Sequence, residues 1–142
     1  MPYGPGRNQE RRALMSTAKI LIFDSDPAAA LVTQHGLQRL QPDSEVTTAI
    51  SAGDAWLSCL HQSVDLLIID PNPANSASSA LIKALRTDRP DTDVLVLTAH
   101  DTPRLRAQMR ALGVAHYLAK PVDLRELGHE VGLLMKQRTA SS

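Results

Sequence analysis

The sequence predicts an α/β domain built on a parallel β-sheet with helices on both faces. Between residues 18 and 137, short apolar runs alternate five times with longer segments of helical periodicity. The runs are almost entirely aliphatic, which is typical of strands that are buried on both faces. Because the connections are short, the alternation favours right-handed crossovers that place helices on both sides of one sheet.

The first half of the chain predicts two strand–helix units and a third strand. The first strand is Lys19–Phe23, and Pro27 follows it in the first turn of a helix, a position that suits proline. A shorter strand is predicted at Glu45–Ile50, and Ser51 is the predicted N-cap of the second helix. The third strand is Leu66–Ile69.

The second half begins with a helix around residues 81–85 and a fourth strand at Val94–Leu97. Thr102 is the predicted N-cap of the fourth helix, and Pro103 is its first residue. Gly113 ends this helix, because glycine readily adopts the backbone conformation that terminates helices.

The last strand and helix complete the alternation. A short strand is predicted near Tyr117. Asp123 and Glu126, three residues apart, form a predicted capping box at the start of the last helix.

The two ends of the chain fall outside this pattern. Residues 1–17 combine proline, glycine and arginine without an apolar run, so a flexible extension is predicted rather than a signal peptide. Residues 138–142 are predicted to be a frayed tail. The sequence therefore predicts one domain, over residues 18–137.

Composition narrows the classes of function. Lysine plus arginine and aspartate plus glutamate both number 15, so nothing points to nucleic acid or an anionic membrane as an obligatory partner. No apolar run has the length of a membrane span. The single cysteine, Cys59, is predicted to be a buried thiol and fits a reducing compartment, hence a cytoplasmic location. The five histidines share no metal-ligand spacing: His35, His61, His100, His116 and His129.

Charged and hydroxyl side chains follow four of the predicted strands. Asp24 follows the first strand and Asp70 the third, while Thr98 follows the fourth and Lys120 the last. Ligands of parallel sheets bind beyond the carboxyl ends of the strands, so these side chains are expected to converge on one rim. Asp26, directly before Pro27, is interpreted as a helix cap.

The order and spacing of these motifs resemble a response-regulator receiver domain, the phosphoacceptor module of bacterial-type two-component signalling. Asp70–Arg86 keeps the family's spacing from the phosphoacceptor to the third helix, Leu97–His100 resembles the fourth-strand segment, and Tyr117–Pro121 resembles the fifth-strand signature. The resemblance covers Lys19–Gln137. It implies a flavodoxin-like fold with five parallel strands in the order 2-1-3-4-5.

The resemblance implies that Asp70 is phosphorylated by a partner histidine kinase or phosphotransfer protein. A carboxylate is a competent nucleophile for phosphoryl transfer when a divalent cation offsets the gathering negative charge. Mg²⁺ would be held by Asp24, by Asp70 and by the backbone carbonyl of Asn72.

The remaining roles also follow from the resemblance. Lys120 would pair with the acyl phosphate, Thr98 would reach the phosphoryl oxygens through its hydroxyl, and Tyr117 would change position in response. The Lys120–Pro121 bond is expected to be cis. The domain would then signal by altered protein binding through its fourth helix, fifth strand and fifth helix. It would be a switch rather than an enzyme, with no DNA binding by this chain; homodimer formation stays open.

Two departures from the family pattern bear on the site. Ser25 replaces the second acid of the usual pair after the first strand, so weaker Mg²⁺ binding is predicted, with Ser25 acting directly or through water. Pro71 and Pro73 restrict the loop after Asp70.

Two other functions stay open at this point. Ser25 and the proline-containing loop favour a pseudo-receiver, an interaction module that does not depend on phosphorylation. Asp24-Ser25-Asp26 also fits the nucleophile motif of haloacid-dehalogenase-like phosphatases, with Thr98 and Lys120 in their later motifs. That phosphatase interpretation leaves the spacing around Asp70 unexplained.

Overall fold

A computed structural model describes residues 17–141 and contains the five predicted strand–helix units. No helix within this range is both long and apolar enough to cross a membrane. In chain order, the elements are β1 Lys19–Asp24, α1 Pro27–Leu40, β2 Glu45–Ala49, α2 Ala52–His61, β3 Leu66–Asp70, α3 Ala77–Asp88, β4 Asp93–Thr98, α4 Pro103–Ala111, β5 His116–Ala119 and α5 Leu124–Ser141.

The five strands form one parallel sheet in the order β2-β1-β3-β4-β5, which confirms the predicted flavodoxin-like fold. The register pairs Asp24 of β1 with Asp70 of β3, and Thr98 of β4 with Ala119 of β5. Because Ile69 of β3 pairs with Val96 of β4, the carboxyl ends of these four strands lie within one residue of the same level, and they form the rim on which the site lies.

The core has two layers, one on each face of the sheet. All five residues of β3 are buried, and their side chains alternate between the layers. Leu67 and Ile69 pack with α2, α3 and α4, whereas Leu66 and Ile68 pack with α1 and α5. Burial of each such side chain stabilises the fold by about 2 kcal/mol. This packing holds the central strands, and thus the rim, in a fixed position.

Several predictions from local sequence signals are confirmed. Gly113 follows α4 with a positive φ of 86°, and the Lys120–Pro121 bond is cis as expected. Cys59 is a buried thiol whose pKa is raised by burial. Three side chains accept hydrogen bonds from backbone N–H groups of the first helical turn: Asp26 for α1, Ser51 for α2 and Thr102 for α4.

Several boundaries differ from the prediction. Strands β1, β3 and β4 each end one residue later, at Asp24, Asp70 and Thr98, and β4 also begins one residue earlier. Strand β2 ends at Ala49, and Ile50 beyond it is 87% exposed. Helix α5 continues to Ser141 through the segment predicted to be a frayed tail. Arg138 explains part of this extension, because its guanidinium forms ion pairs with Asp65 and Asp93 at the start of β3 and of β4. The predicted N-terminal extension, apart from residue 17, lies outside the described residues.

Candidate functional site

The site is built around two carboxylates that end the two central strands. Asp24 is the last residue of β1, and Asp70 is the last residue of β3. The two residues are register partners, and their exposed fractions are 8% and 9%. Two buried carboxylates side by side repel each other unless a cation lies between them.

Lys120 supplies a positive charge. It directly follows β5, and its Nζ lies 2.7 Å from Asp24 Oδ2 and 3.1 Å from Asp70 Oδ2. Its backbone N–H donates to the Thr98 carbonyl at 2.7 Å, which fixes the residue against β4. Burial alone lowers the pKa of the Lys120 ammonium, but the hydrogen bonds to the two carboxylates outweigh it and raise the pKa. Lys120 is therefore a firmly held cation at this site.

The two oxygens of Asp70 have different surroundings. Oδ2 accepts from Lys120 Nζ and, at 3.3 Å, from the backbone N–H of Ala99. Oδ1 is buried and has no hydrogen-bond partner among residues 17–141. Buried carboxylate oxygens normally have partners, so an unsatisfied one indicates a ligand or a reactive role. Of the two, Oδ1 is the atom available to bind or attack.

Thr98 lies at the end of β4 and is completely buried. Its Oγ1 accepts from the backbone N–H of His100 at 2.9 Å. The next residue, Ala99, donates to Asp70, so the start of the β4–α4 loop is bonded to the phosphoacceptor candidate. The contacts of Thr98 therefore depend on the position of this loop.

The two residues after Asp24 are more exposed than Asp24 itself. Ser25 is exposed. The Asp26 backbone N–H donates to Asp24 Oδ1 at 2.9 Å, whereas the Asp26 side chain caps α1, as predicted. Of the Asp24-Ser25-Asp26 triplet, the carboxylate of Asp24 is the one bonded to Lys120. The phosphatase interpretation requires Asp26 as a second acid at the site. In the structure, the Asp26 side chain instead caps the N-terminus of α1.

Asn72, in the loop after β3, is partly buried. Its side-chain oxygen accepts from Ala74 N–H at 2.8 Å, and its carbonyl accepts from Asn75 N–H at 3.3 Å. Since a carbonyl oxygen has two lone pairs, the Asn72 carbonyl retains one for a further ligand.

These oxygens suit a hard divalent cation. The carboxylates of Asp24 and Asp70 and the carbonyl of Asn72 are the type of ligand that Mg²⁺ prefers, and Lys120 offsets one of two negative charges. Within residues 17–141, no three His, Cys, Asp or Glu side chains group as metal ligands. The chain would therefore hold such an ion with two carboxylates, and water or substrate oxygens would complete its coordination.

Tyr117 is bonded away from the carboxylates. Its hydroxyl donates to Asp101 Oδ1 at 3.0 Å, and the guanidinium of Arg106 lies over its ring, 4.7 Å from the centroid. Burial and the hydrogen bond to Asp101 raise the pKa of Tyr117 to about 12. The sequence singles out neither Arg106 nor Asp101 as a partner of Tyr117. A spacing of five residues is not a helix-face pair, so the sequence carries no standard signal for their contact.

The chain matches the model of the response regulator receiver domain over residues 20–132. It is 34% identical to the DNA-binding transcriptional regulator NtrC of Azospirillum brasilense over 113 residues, which are 80% of this chain and 23% of that protein. It is 30% identical to the transcriptional regulatory protein PrrA of Mycobacterium leprae over 128 residues, 90% of this chain and 54% of that protein. The chain spans about a quarter to a half of the length of these relatives.

Solved receiver domains share the fold. A CheY-like response regulator receiver domain protein from Methanospirillum hungatei JF-1 superposes with a TM-score of 0.80 at 22% identity, covering 89% of this chain and all of that one. The receiver domain of the Francisella response regulator 1452 gives 0.72 at 26% identity, with 84% and 98% covered. With its sequence match, its sheet order and its rim of carboxylates and lysine, the chain belongs to the response regulator receiver domain family.

Proposed function

We propose that this chain is a phosphorylation-dependent signalling switch that accepts a phosphoryl group on Asp70. The donor is a partner histidine kinase or phosphotransfer protein, and the phosphorylated form binds a downstream protein differently. The observation that carries the proposal is the buried Oδ1 of Asp70, which has no hydrogen-bond partner among the described residues while Oδ2 is held by Lys120.

The contacts of Asp70 suit nucleophilic attack. Oδ1 attacks the phosphorus of the donor, the bond from phosphorus to the donor's histidine nitrogen breaks, and an acyl phosphate forms on Asp70. Lys120 lies 3.1 Å from Oδ2 and attracts the added negative charge as a point charge. The Thr98 hydroxyl, one strand away, is the proposed contact to the phosphoryl oxygens.

Mg²⁺ is the proposed cofactor, held by Asp24, Asp70 and the Asn72 carbonyl. When bound, it supplies the positive charge that phosphoryl transfer to a carboxylate requires. The response regulator TrrA of Thermotoga maritima, 24% identical to this chain, has been solved in complex with Mg²⁺ and a beryllium fluoride. Ser25 contributes at most a hydroxyl or a bound water, so we propose that Mg²⁺ binds more weakly here than at a site with a second acid.

The signal would leave the domain through α4, β5 and α5. Tyr117 on β5 is the proposed mobile residue, because its hydroxyl is bonded to a partly exposed partner rather than enclosed in the core. Binding of the downstream protein on this face, a cytoplasmic location and the lack of DNA binding by this chain are parts of the same proposal.

The test is the intact mass of the protein after incubation with acetyl phosphate and Mg²⁺. One added phosphoryl group is expected on the wild type, and none on the Asp70→Asn variant. An Asp91→Asn variant, changed at an exposed aspartate before β4, serves as the matched control and is expected to gain the group. Modification of Asp70→Asn to the wild-type extent would overturn Asp70 as the acceptor.

A second candidate is the pseudo-receiver, and one contact favours it. Lys120 already bonds to both carboxylates, so the ion cluster is partly neutralised without a metal, and Ser25 adds no third acid. A folded wild-type protein that gains neither a phosphoryl group nor a beryllofluoride complex would establish this candidate in place of the switch. The phosphatase interpretation has no comparable support, because Asp26 caps α1.

A further inference from the structure

We propose that the Asp101–Arg106 ion pair is a latch that holds Tyr117 in its present position and thereby limits how readily the domain is phosphorylated. This inference rests on the proposed function of Asp70. It concerns three side chains from different parts of the fold: Asp101 in the β4–α4 loop, Arg106 in α4 and Tyr117 in β5.

The three side chains form a closed ring of contacts. Arg106 binds Asp101 through two parallel hydrogen bonds, from Nε to Oδ1 at 2.7 Å and from Nη2 to Oδ2 at 2.8 Å. Tyr117 donates its hydroxyl to the same Oδ1 at 3.0 Å. The Arg106 guanidinium also lies over the Tyr117 ring, at a distance typical of a cation–π contact. Tyr117 cannot leave without losing its hydrogen bond and its ring contact together.

Packing alone does not hold the tyrosine. The ring is only partly buried against the core layer of α2, α3 and α4. A hollow of about 130 Å³ borders it between α4 and β5. This hollow is lined by Arg106, Met109, Arg110, Val114, Ala115 and Tyr117. Because the ring has free space beside it, its polar contacts, rather than its packing, determine its position.

The latch shares its loop with the phosphorylation site. Asp101 lies three residues after Thr98, and between them Ala99 donates its N–H to Asp70 Oδ2. A phosphoryl group on Asp70 competes for this N–H and for the Thr98 hydroxyl, so it displaces the segment that positions Asp101. Contacts that favour the present position of this loop lower the population of the position that accepts the phosphoryl group, so their removal raises that population and the rate of phosphorylation.

An ordinary role in stability explains the cluster less well. The side chains of Arg106 and Asp101 are 51% and 30% exposed, and ion pairs this exposed contribute little to folding. The same modest free energy has a measurable effect on a balanced conformational equilibrium, where it changes the population of the minor state several-fold.

The test compares Arg106→Gln and Asp101→Asn with a matched control, Arg104→Gln, which removes the same charge from an exposed position of α4 outside the ring. Both latch variants are expected to be phosphorylated by acetyl phosphate about threefold faster than the wild type, while Arg104→Gln keeps the wild-type rate. The double variant is expected to match the single ones, because either change opens the latch.

A second readout separates the latch from the phosphorylation chemistry. Fluorotyrosine labelling of a Tyr3→Phe background isolates the Tyr117 signal, and ¹⁹F NMR measures the population of a second ring position. That population is expected to rise in Arg106→Gln and to stay at the wild-type level in Arg104→Gln. If no variant accepts phosphate, the proposed function fails whatever the NMR shows. If phosphate is accepted, equal rates and equal populations in Arg106→Gln and Arg104→Gln would overturn the latch.

Discussion

Asp24 and Asp70 face each other in register at the ends of β1 and β3, and both carboxylates are more than nine-tenths buried. One ammonium, that of Lys120, bonds to both. The three side chains together carry one net negative charge when all are ionised. Because of this net negative charge, the rim attracts cations.

The first prediction concerns stability. Lys120→Met leaves two buried carboxylates without their cation and is expected to lower the free energy of unfolding by about 3 kcal/mol. Asp70→Asn keeps one ion pair and removes the repulsion, so its effect is expected to stay within about 1 kcal/mol. Urea unfolding of the two variants checks this order. A Lys120→Met protein as stable as Asp70→Asn would contradict the proposed charge balance.

The second prediction concerns Ser25. Replacement of Ser25 by aspartate adds a carboxylate next to Asp24 and is expected to raise the affinity for Mg²⁺ about tenfold. Isothermal titration calorimetry with MgCl₂ measures it. Ser63→Asp adds the same charge at an exposed position just before β3, at the opposite end of the sheet, and is expected to leave the affinity unchanged. Equal gains in both variants would show that net charge, rather than a ligand at position 25, is responsible.

The third prediction concerns alkaline pH. Burial and the hydrogen bond to Asp101 raise the pKa of Tyr117 from 10.0 to about 12, so the folded protein holds a proton that the unfolded chain loses. The stability from this group is complete below pH 10 and declines as the pH rises from about 10 to about 12. The raised pKa of Lys120 adds a loss in the same direction above its ordinary value of 10.5.

Absorbance titration of a Tyr3→Phe variant checks the assignment, because the chain has only two tyrosines. The midpoint for Tyr117 is expected near 12, and Asp101→Asn is expected to lower it. A midpoint at 10 in the otherwise wild-type background would show that the hydroxyl is not bonded to Asp101 in solution.

The fourth prediction contrasts two glycines. Gly113 has φ of 86°, and an added Cβ would lie 2.8 Å from Arg86 Nη2, so Gly113→Ala is expected to destabilise the fold by about 1 kcal/mol. At Gly53 in α2, an added Cβ would meet Ser51 Oγ at 3.9 Å, an ordinary van der Waals contact, so Gly53→Ala is expected to stabilise the fold by about 0.5 kcal/mol. Thermal unfolding of both variants measures the difference. Equal shifts would contradict the assigned conformation at Gly113.

The parts of the structure that sequence reasoning predicted depend on local signals. Leu66–Ile69 is aliphatic throughout because both faces of β3 are buried, and this pattern is visible without any tertiary information. Ser51 and Thr102 act on N–H groups three residues away, so their capping roles are also local. Asp24, Asp70 and Lys120 were predicted to converge because each one ends or follows a parallel strand.

The parts that were missed depend on side chains that meet through the fold. Arg138 bonds to Asp65 and Asp93, which are 73 and 45 residues away, and no sequence pattern near position 138 predicts those partners. Asp101 bonds to Tyr117 across 16 residues and the whole of α4. Such contacts depend on how α4 and α5 pack on the sheet. Hydrophobic periodicity predicts which face of a helix is buried, but not which side chains meet.

The position of Arg138 has a mechanical consequence. Its ion pairs join the C-terminal part of α5 to the amino ends of β3 and β4, the ends opposite the carboxylate rim. The other end of α5 follows Lys120 and Pro121, which belong to the rim. With one end bonded beside β3 and β4 and the other next to Lys120, α5 ties the two edges of the sheet together.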